Sequence, residues 1–173
     1  RSRSSAALLP EALAAADVLD LLSALVDKSL VVSEERAGEA RYRLLETIRQ
    51  FAEERLSEST NGAAVRDRHA SFFADRAETM FDVFRGPKAA LTYRFVDDEI
   101  ANLRAAFRWS LDRDRPDSAI RIAACVHQAA RMRLRTETFG WAAEVVDLAR
   151  RVELVRRKDR DRRRSPNPSR SPN

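Results

Sequence analysis

Glycine is scarce in this sequence and never clustered. Gly38, Gly62, Gly86 and Gly140 stand far apart. No Gly-rich loop is available to cradle a phosphate through successive backbone N–H groups, which excludes a Walker-type or dinucleotide site. Cysteine occurs once, at Cys125. A single thiol forms no internal disulfide, which points to a reducing, cytoplasmic setting. No apolar run approaches the ~20 residues that cross a bilayer, and the N-terminus lacks the apolar core of a signal peptide, so no membrane partner is expected. Residue 1 is Arg, not Met, and the chain reads as a fragment of something longer.

What is present is charge and helical apolar patterning. Of 173 residues, 44% are apolar, enough for a packed core, and 34% are charged, which is typical of solvent-laced helices. The length suits one ordinary domain or two small ones. The pI near 10.1 resembles a nucleic-acid signature until the charge is located. From Arg156 onward eight basic residues face Asp159 and Asp161, a net of +6 in a chain whose total is +5. Residues 1–155 are therefore close to neutral, and the basic character belongs to a tail.

The spacing predicts a mainly α fold. Residues 1–12 form an irregular lead-in. Asp17 is placed to cap a helix in which Val18, Leu21, Leu22 and Leu25 recur at helical spacing up to about Lys28. Leu30-Val31-Val32 and Arg41-Tyr42-Arg43-Leu44 read as two short strands around a polar loop, Glu34 to Ala40. From Leu45 the period turns helical again through Ile48, Phe51 and Leu56. Helix, hairpin and helix in succession make a partial winged helix over residues 13–60. Residues 62–155 then read as antiparallel helix pairs, tetratricopeptide-like, broken at Gly86-Pro87 and Asp114-Arg115-Pro116. The last two helices are expected near 117–134 and 137–155. Residues 156–173 hold no core-forming side chain and are expected to be a disordered basic tail.

In a winged helix the helix before the hairpin enters the major groove and the hairpin touches the backbone. Here its exposed positions would be Asp17, Asp20, Ser23, Ala24, Asp27 and Lys28, three acids against one base. The wing adds Glu34, Glu35 and Glu39 against Arg36 and Arg41. Phosphate contacts supply most non-specific affinity, which this surface is poorly charged to provide. A packing role against protein follows, with Asp17, Asp20, Asp27 and Lys28 as the interdomain contact. Weak nucleic-acid contact is left to the basic tail.

No catalytic constellation assembles. His69 lies beside Phe72 and Phe73, with no second ligand at metal spacing, and reads as a packed residue. Cys125 and His127 are two apart on a helix and face different directions. Asp97-Asp98-Glu99 reads as a solvated helix start. Trp109 and Trp141 read as core. No metal, cofactor or catalytic residue is expected.

Two segments carry a resemblance: Leu25-Val26-Asp27-Lys28-Ser29-Leu30-Val31, and Arg41-Tyr42-Arg43-Leu44-Leu45-Glu46-Thr47-Ile48-Arg49-Gln50-Phe51-Ala52. With Arg68-His69-Ala70, Asn102-Leu103-Arg104-Ala105-Ala106 and Trp109 in order, the stretch from Leu19 to Leu148 resembles actinobacterial STAND-type regulatory ATPases of the LuxR and AfsR-like kind. The resemblance implies a winged helix that follows and packs on a nucleotide-binding ATPase domain, a helical sensor region, and a separate helix-turn-helix that reads DNA. It implies a non-catalytic segment coupling sensor to ATPase, with that ATPase domain as partner. The rival reading is a stand-alone winged-helix DNA-binding regulator.

Overall fold

The structure, a computed structural model, describes residues 15–36, 38–133, 138 and 140–164. The lead-in expected over residues 1–12 and the end of the tail, 165–173, lie outside the described residues. The chain divides into two compact units, Arg1–Thr60 and Asn61–Asn173.

In the first unit, α1 (Ala15–Asp27) leads into an antiparallel hairpin of β1 (Val31–Arg36) and β2 (Glu39–Leu44), followed by α2 (Glu46–Glu58). Helix α1 starts before Asp17, which therefore sits in the first turn rather than at the cap; its carboxylate there still faces the positive end of the helix dipole. The exit from α1 is set by Ser29 at φ 58. Ser29 N–H donates to Val26 O at 2.8 Å and Leu30 N–H to Leu25 O at 3.0 Å. This is the Schellman pattern, made here by a serine in the left-handed position that glycine usually takes. It turns the chain so that Val31, 5% exposed, lands inside.

The hairpin is longer than the sequence suggests. The register pairs Val31 with Leu44 and closes with Arg36 opposite Glu39, so Glu34, Glu35 and Ala40 lie in strands, not in a loop. Gly38 at φ 82 supplies the backbone that so tight a turn demands. Polar residues continue a ladder readily where side chains stand in water, and Arg43 reaches Glu34 across the strands at 3.2 Å.

The second unit holds the core. Its helices are α3 (Gly62–Phe84), α4 (Ala89–Asp112), α5 (Pro116–Arg133) and α6 (Gly140–Arg164). Each packs on the next, and α3 also packs on α5. Leu103, Ala106 and Phe107 on α4 are wholly buried, with Ile122 and Val126 of α5 and Leu148 of α6 in the same cluster. The Phe107 ring stacks on Trp141 with centroids 4.5 Å apart. Small residues on α3 (Ala70, Ala74 and Ala77) let that helix approach the others closely. Buried hydroxyls are satisfied: Thr92 Oγ1 donates to Met80 O at 2.7 Å and Ser110 Oγ to Ala106 O at 2.8 Å.

Two expectations are corrected here. Asp97-Asp98-Glu99 lies in the middle of α4, not at its start, because the apolar rhythm begins earlier with Leu91, Phe95 and Val96. Helix α6 runs through Arg164, nine residues beyond the expected end of order at Val155. Extending an existing helix adds one hydrogen bond per residue fixed and needs no new nucleus, and Arg and Lys are good helix formers. Glu153 adds bridges to Arg157 at 3.1 Å and Arg160 at 2.9 Å.

The end of α4 repeats the Schellman pattern, with Asp114 at φ 50 and Arg115 N–H donating to Ser110 O at 2.8 Å. Pro116 then opens α5, where its missing N–H costs nothing. Asp114→Gly is expected to raise stability by up to about 1 kcal/mol through relief of the left-handed strain, and Asp114→Val to lower it. Phe107→Ala is expected to cost about 3–5 kcal/mol. Denaturant titrations followed by the tryptophan signal check all three.

Candidate functional site

The described residues of the first unit form almost no interior. Among the described residues Val31 is its one buried side chain; α2 buries none. Helix α1 packs on β1, and its Leu22 and Val26 are half-buried. The other side chains from Asp17 to Asp27 are exposed, including Val18, Leu25, Leu19 at 59% and Leu21 at 52%. On α2, Phe51 is 55% exposed, with the Arg55 guanidinium over its ring at 5.2 Å. That helix is laced by surface pairs instead of burial: Arg49 grips both oxygens of Glu46, at 3.0 and 2.7 Å, and reaches Glu53 at 2.9 Å. Those donors, Arg49 above all, hold the Glu46 carboxyl below the usual carboxylate range. Exposed pairs of this kind are worth only a few tenths of a kcal/mol each.

Asp17, Asp20, Asp27 and Lys28 all lie at the surface of α1, as do Ser23 and Ala24. The sequence pattern located this acidic face. It did not show that Val18, Leu21 and Leu25 are exposed too, because their helical spacing with Leu22 reads as a core stripe; Leu19 is exposed beside them. The surface on offer is therefore mixed, acidic groups interleaved with large aliphatic ones. It has little capacity for phosphate and considerable apolar area for a protein neighbour.

The second unit places the remaining singled-out residues in structural roles. Trp141 is buried in the core stack; Trp109 is half-buried, and its indole N–H donates to Asp67 Oδ1 at 2.8 Å while Arg115 reaches Asp67 Oδ2 at 3.3 Å. Cys125 is buried, and that burial pushes its thiol up to about 12, so it carries negligible thiolate at neutral pH. His69 lies half-buried against the Phe73 ring, centroids 4.7 Å apart. Burial holds its pKa below the ordinary histidine value, partly opposed by a hydrogen bond with Asn102 and by the charge of Glu99. No group of three or more His, Cys, Asp or Glu that could hold a metal occurs among the described residues. An open cavity beside α6 is lined by Asp114, Arg151, Val152, Val155 and Arg156. No helix among the described residues is long and apolar enough to cross a membrane.

Residues 4–57 match the family model described as a winged helix-turn-helix domain. The match begins inside the stretch read from sequence as a lead-in. Two proteins named as HTH-type transcriptional regulators are similar to the chain: Mb0914c of Mycobacterium bovis and Rv0890c of Mycobacterium tuberculosis. Each is 41% identical over 107 residues, covering 62% of this chain and 12% of the relative. The chain thus spans about an eighth of the length of these relatives. No solved structure matches it significantly. Residues 4–57 are thus similar to winged helix-turn-helix domains, and the chain is homologous to part of proteins named as HTH-type regulators. The finer expectations, an ATPase neighbour, the LuxR kind and tetratricopeptide-like repeats, gain nothing from these comparisons. They lie nearer to the rival reading of a winged-helix DNA-binding regulator.

The histidine supplies a prediction. With its folded pKa depressed, His69 binds a proton more weakly in the native state than in the unfolded chain. Stability should therefore fall as pH drops through about 6.5, where the unfolded form gains its proton first. In His69→Gln that part of the pH dependence should vanish, as measured by urea midpoints between pH 5 and pH 8.

Proposed function

We propose that this chain is the winged-helix and helical portion of an HTH-type transcriptional regulator, acting by binding and not by catalysis. The observation that carries the reading is the winged helix-turn-helix match over residues 4–57. Two readings of the winged helix follow, each resting on a different observation.

In the first, the winged helix contacts protein. The acidic Asp17, Asp20 and Asp27 beside Lys28 form one border of the contact, and the exposed Leu19 and Leu21 supply apolar area. The partner is a nucleotide-binding ATPase domain of the same or a related chain, and the α3–α6 region, built as tetratricopeptide-like helix pairs, relays the state of a sensor to it. In the second, the winged helix contacts DNA directly. The matched domain description and the relatives' names favour this reading; the charge of α1 weighs against it.

Titration of a chain ending at Val155 onto duplex DNA separates them. Retained micromolar binding supports the DNA reading, and its absence supports protein contact. Under the protein reading, mixing the chain with the regulator's nucleotide-binding domain at tens of micromolar should raise the sedimenting mass. Leu19→Glu with Leu21→Glu should abolish that shift while leaving helix content unchanged. An unchanged mass for the native chain would contradict the ATPase-coupling role.

A further inference from the structure

The second half of α6 extends past the core. Val152 is the last of its residues packed against the core cluster, yet the helix continues to Arg164. Residues 150–164 carry nine Arg or Lys against three Asp or Glu, a net of +6, so the remainder of this +5 chain sums to −1. Arg150, Arg151, Arg156, Arg157, Lys158 and Arg160 are all exposed. At 3.6 residues per turn, Arg150, Arg157 and Arg160 follow one side of the rod and Arg151 and Lys158 another, about a third of a turn away. Glu153, held below the usual carboxylate range chiefly by Arg157, ties Arg157 and Arg160 to the helix surface.

We propose that this segment of α6 is a nucleic-acid-binding arm that grips the phosphate backbone of duplex DNA without reading its sequence. The shape of the charge selects the partner. A bilayer surface meets one side of a helix and asks for an apolar stripe to enter it; in this segment the exposed apolar side chains are the adjacent Leu154 and Val155, and residues 156–164 contain none. A duplex groove about 12 Å wide admits a helix and presents phosphates on both walls, which suits basic groups on more than one side. The fifteen residues span roughly 22 Å, about six base pairs. This assignment is independent of what the winged helix contacts.

The test is fluorescence anisotropy of the full chain on a 20-base-pair duplex of arbitrary sequence, across a salt series. Engagement of five or six phosphates should give a slope of log K against log salt near −5, a loss of two to three orders of magnitude between 50 and 200 mM salt. Arg156→Gln, Arg157→Gln and Lys158→Gln combined should reduce that slope by roughly three and weaken binding at least tenfold at 50 mM. Glutamine keeps helix propensity, and these sites lie beyond the core, so the melting temperature serves as a fold control. An unchanged slope and affinity in the triple variant would overturn the proposal and assign any binding to the first unit. Failure of the full chain to bind duplex, or tighter binding to phosphatidylserine vesicles than to duplex, would overturn it as well.

Discussion

Apolar surface has to leave water somewhere, and among the described residues it does so mostly in α3 to α6, around the side chains of α4 and α5. Leu103, Ala106 and Phe107 are wholly buried, and α3 and α5 both pack against α4. The Phe107–Trp141 stack ties α6 into the same cluster across a gap of more than thirty residues in sequence. That long-range contact positions the first half of α6 and lets the second half extend as a rod with no packing requirement of its own. The basic arm is thus a consequence of the core, since a helix nucleated by burial propagates cheaply into a charged sequence.

The first unit is governed by the opposite condition. One buried valine and a hairpin with a tight turn fix its topology, but its helices bury little. A folded element held mainly by local hydrogen bonds and surface ion pairs has small net stability, because such pairs contribute only tenths of a kcal/mol against the entropy of ordering. The exposed Leu19, Leu21 and Phe51 are the apolar side chains that stay in contact with water there.

Much of this architecture was legible in the sequence. The switch of apolar period at Leu45, and the breaks at Gly86-Pro87 and Asp114-Arg115-Pro116, mark the elements because turn chemistry and periodicity are local properties. Errors came where local signals compete. Glu34 and Glu35 look like loop residues, yet a solvent-facing ladder accepts them; Asp97-Asp98-Glu99 look like a helix start, yet they sit half-buried inside a helix anchored by Phe95 and Val96. Composition alone suggested disorder after Val155, because it registers the missing core and not the helix already running into it. The exposure of the α1 leucines was not legible at all: spacing shows that they share a stripe, and only three-dimensional packing shows whether anything covers it.

The second unit closes a core of its own, whereas the described residues of the first bury a single side chain and are held mainly by local contacts. Amide hydrogen exchange on the isolated full chain tests this most directly, since protection measures local opening free energy segment by segment. The account predicts strong protection in α4 and α5, approaching that of global unfolding, with α1 and α2 exchanging several orders of magnitude faster. Equal protection of α1 and α2 in the isolated chain would show a winged helix complete in itself and contradict it.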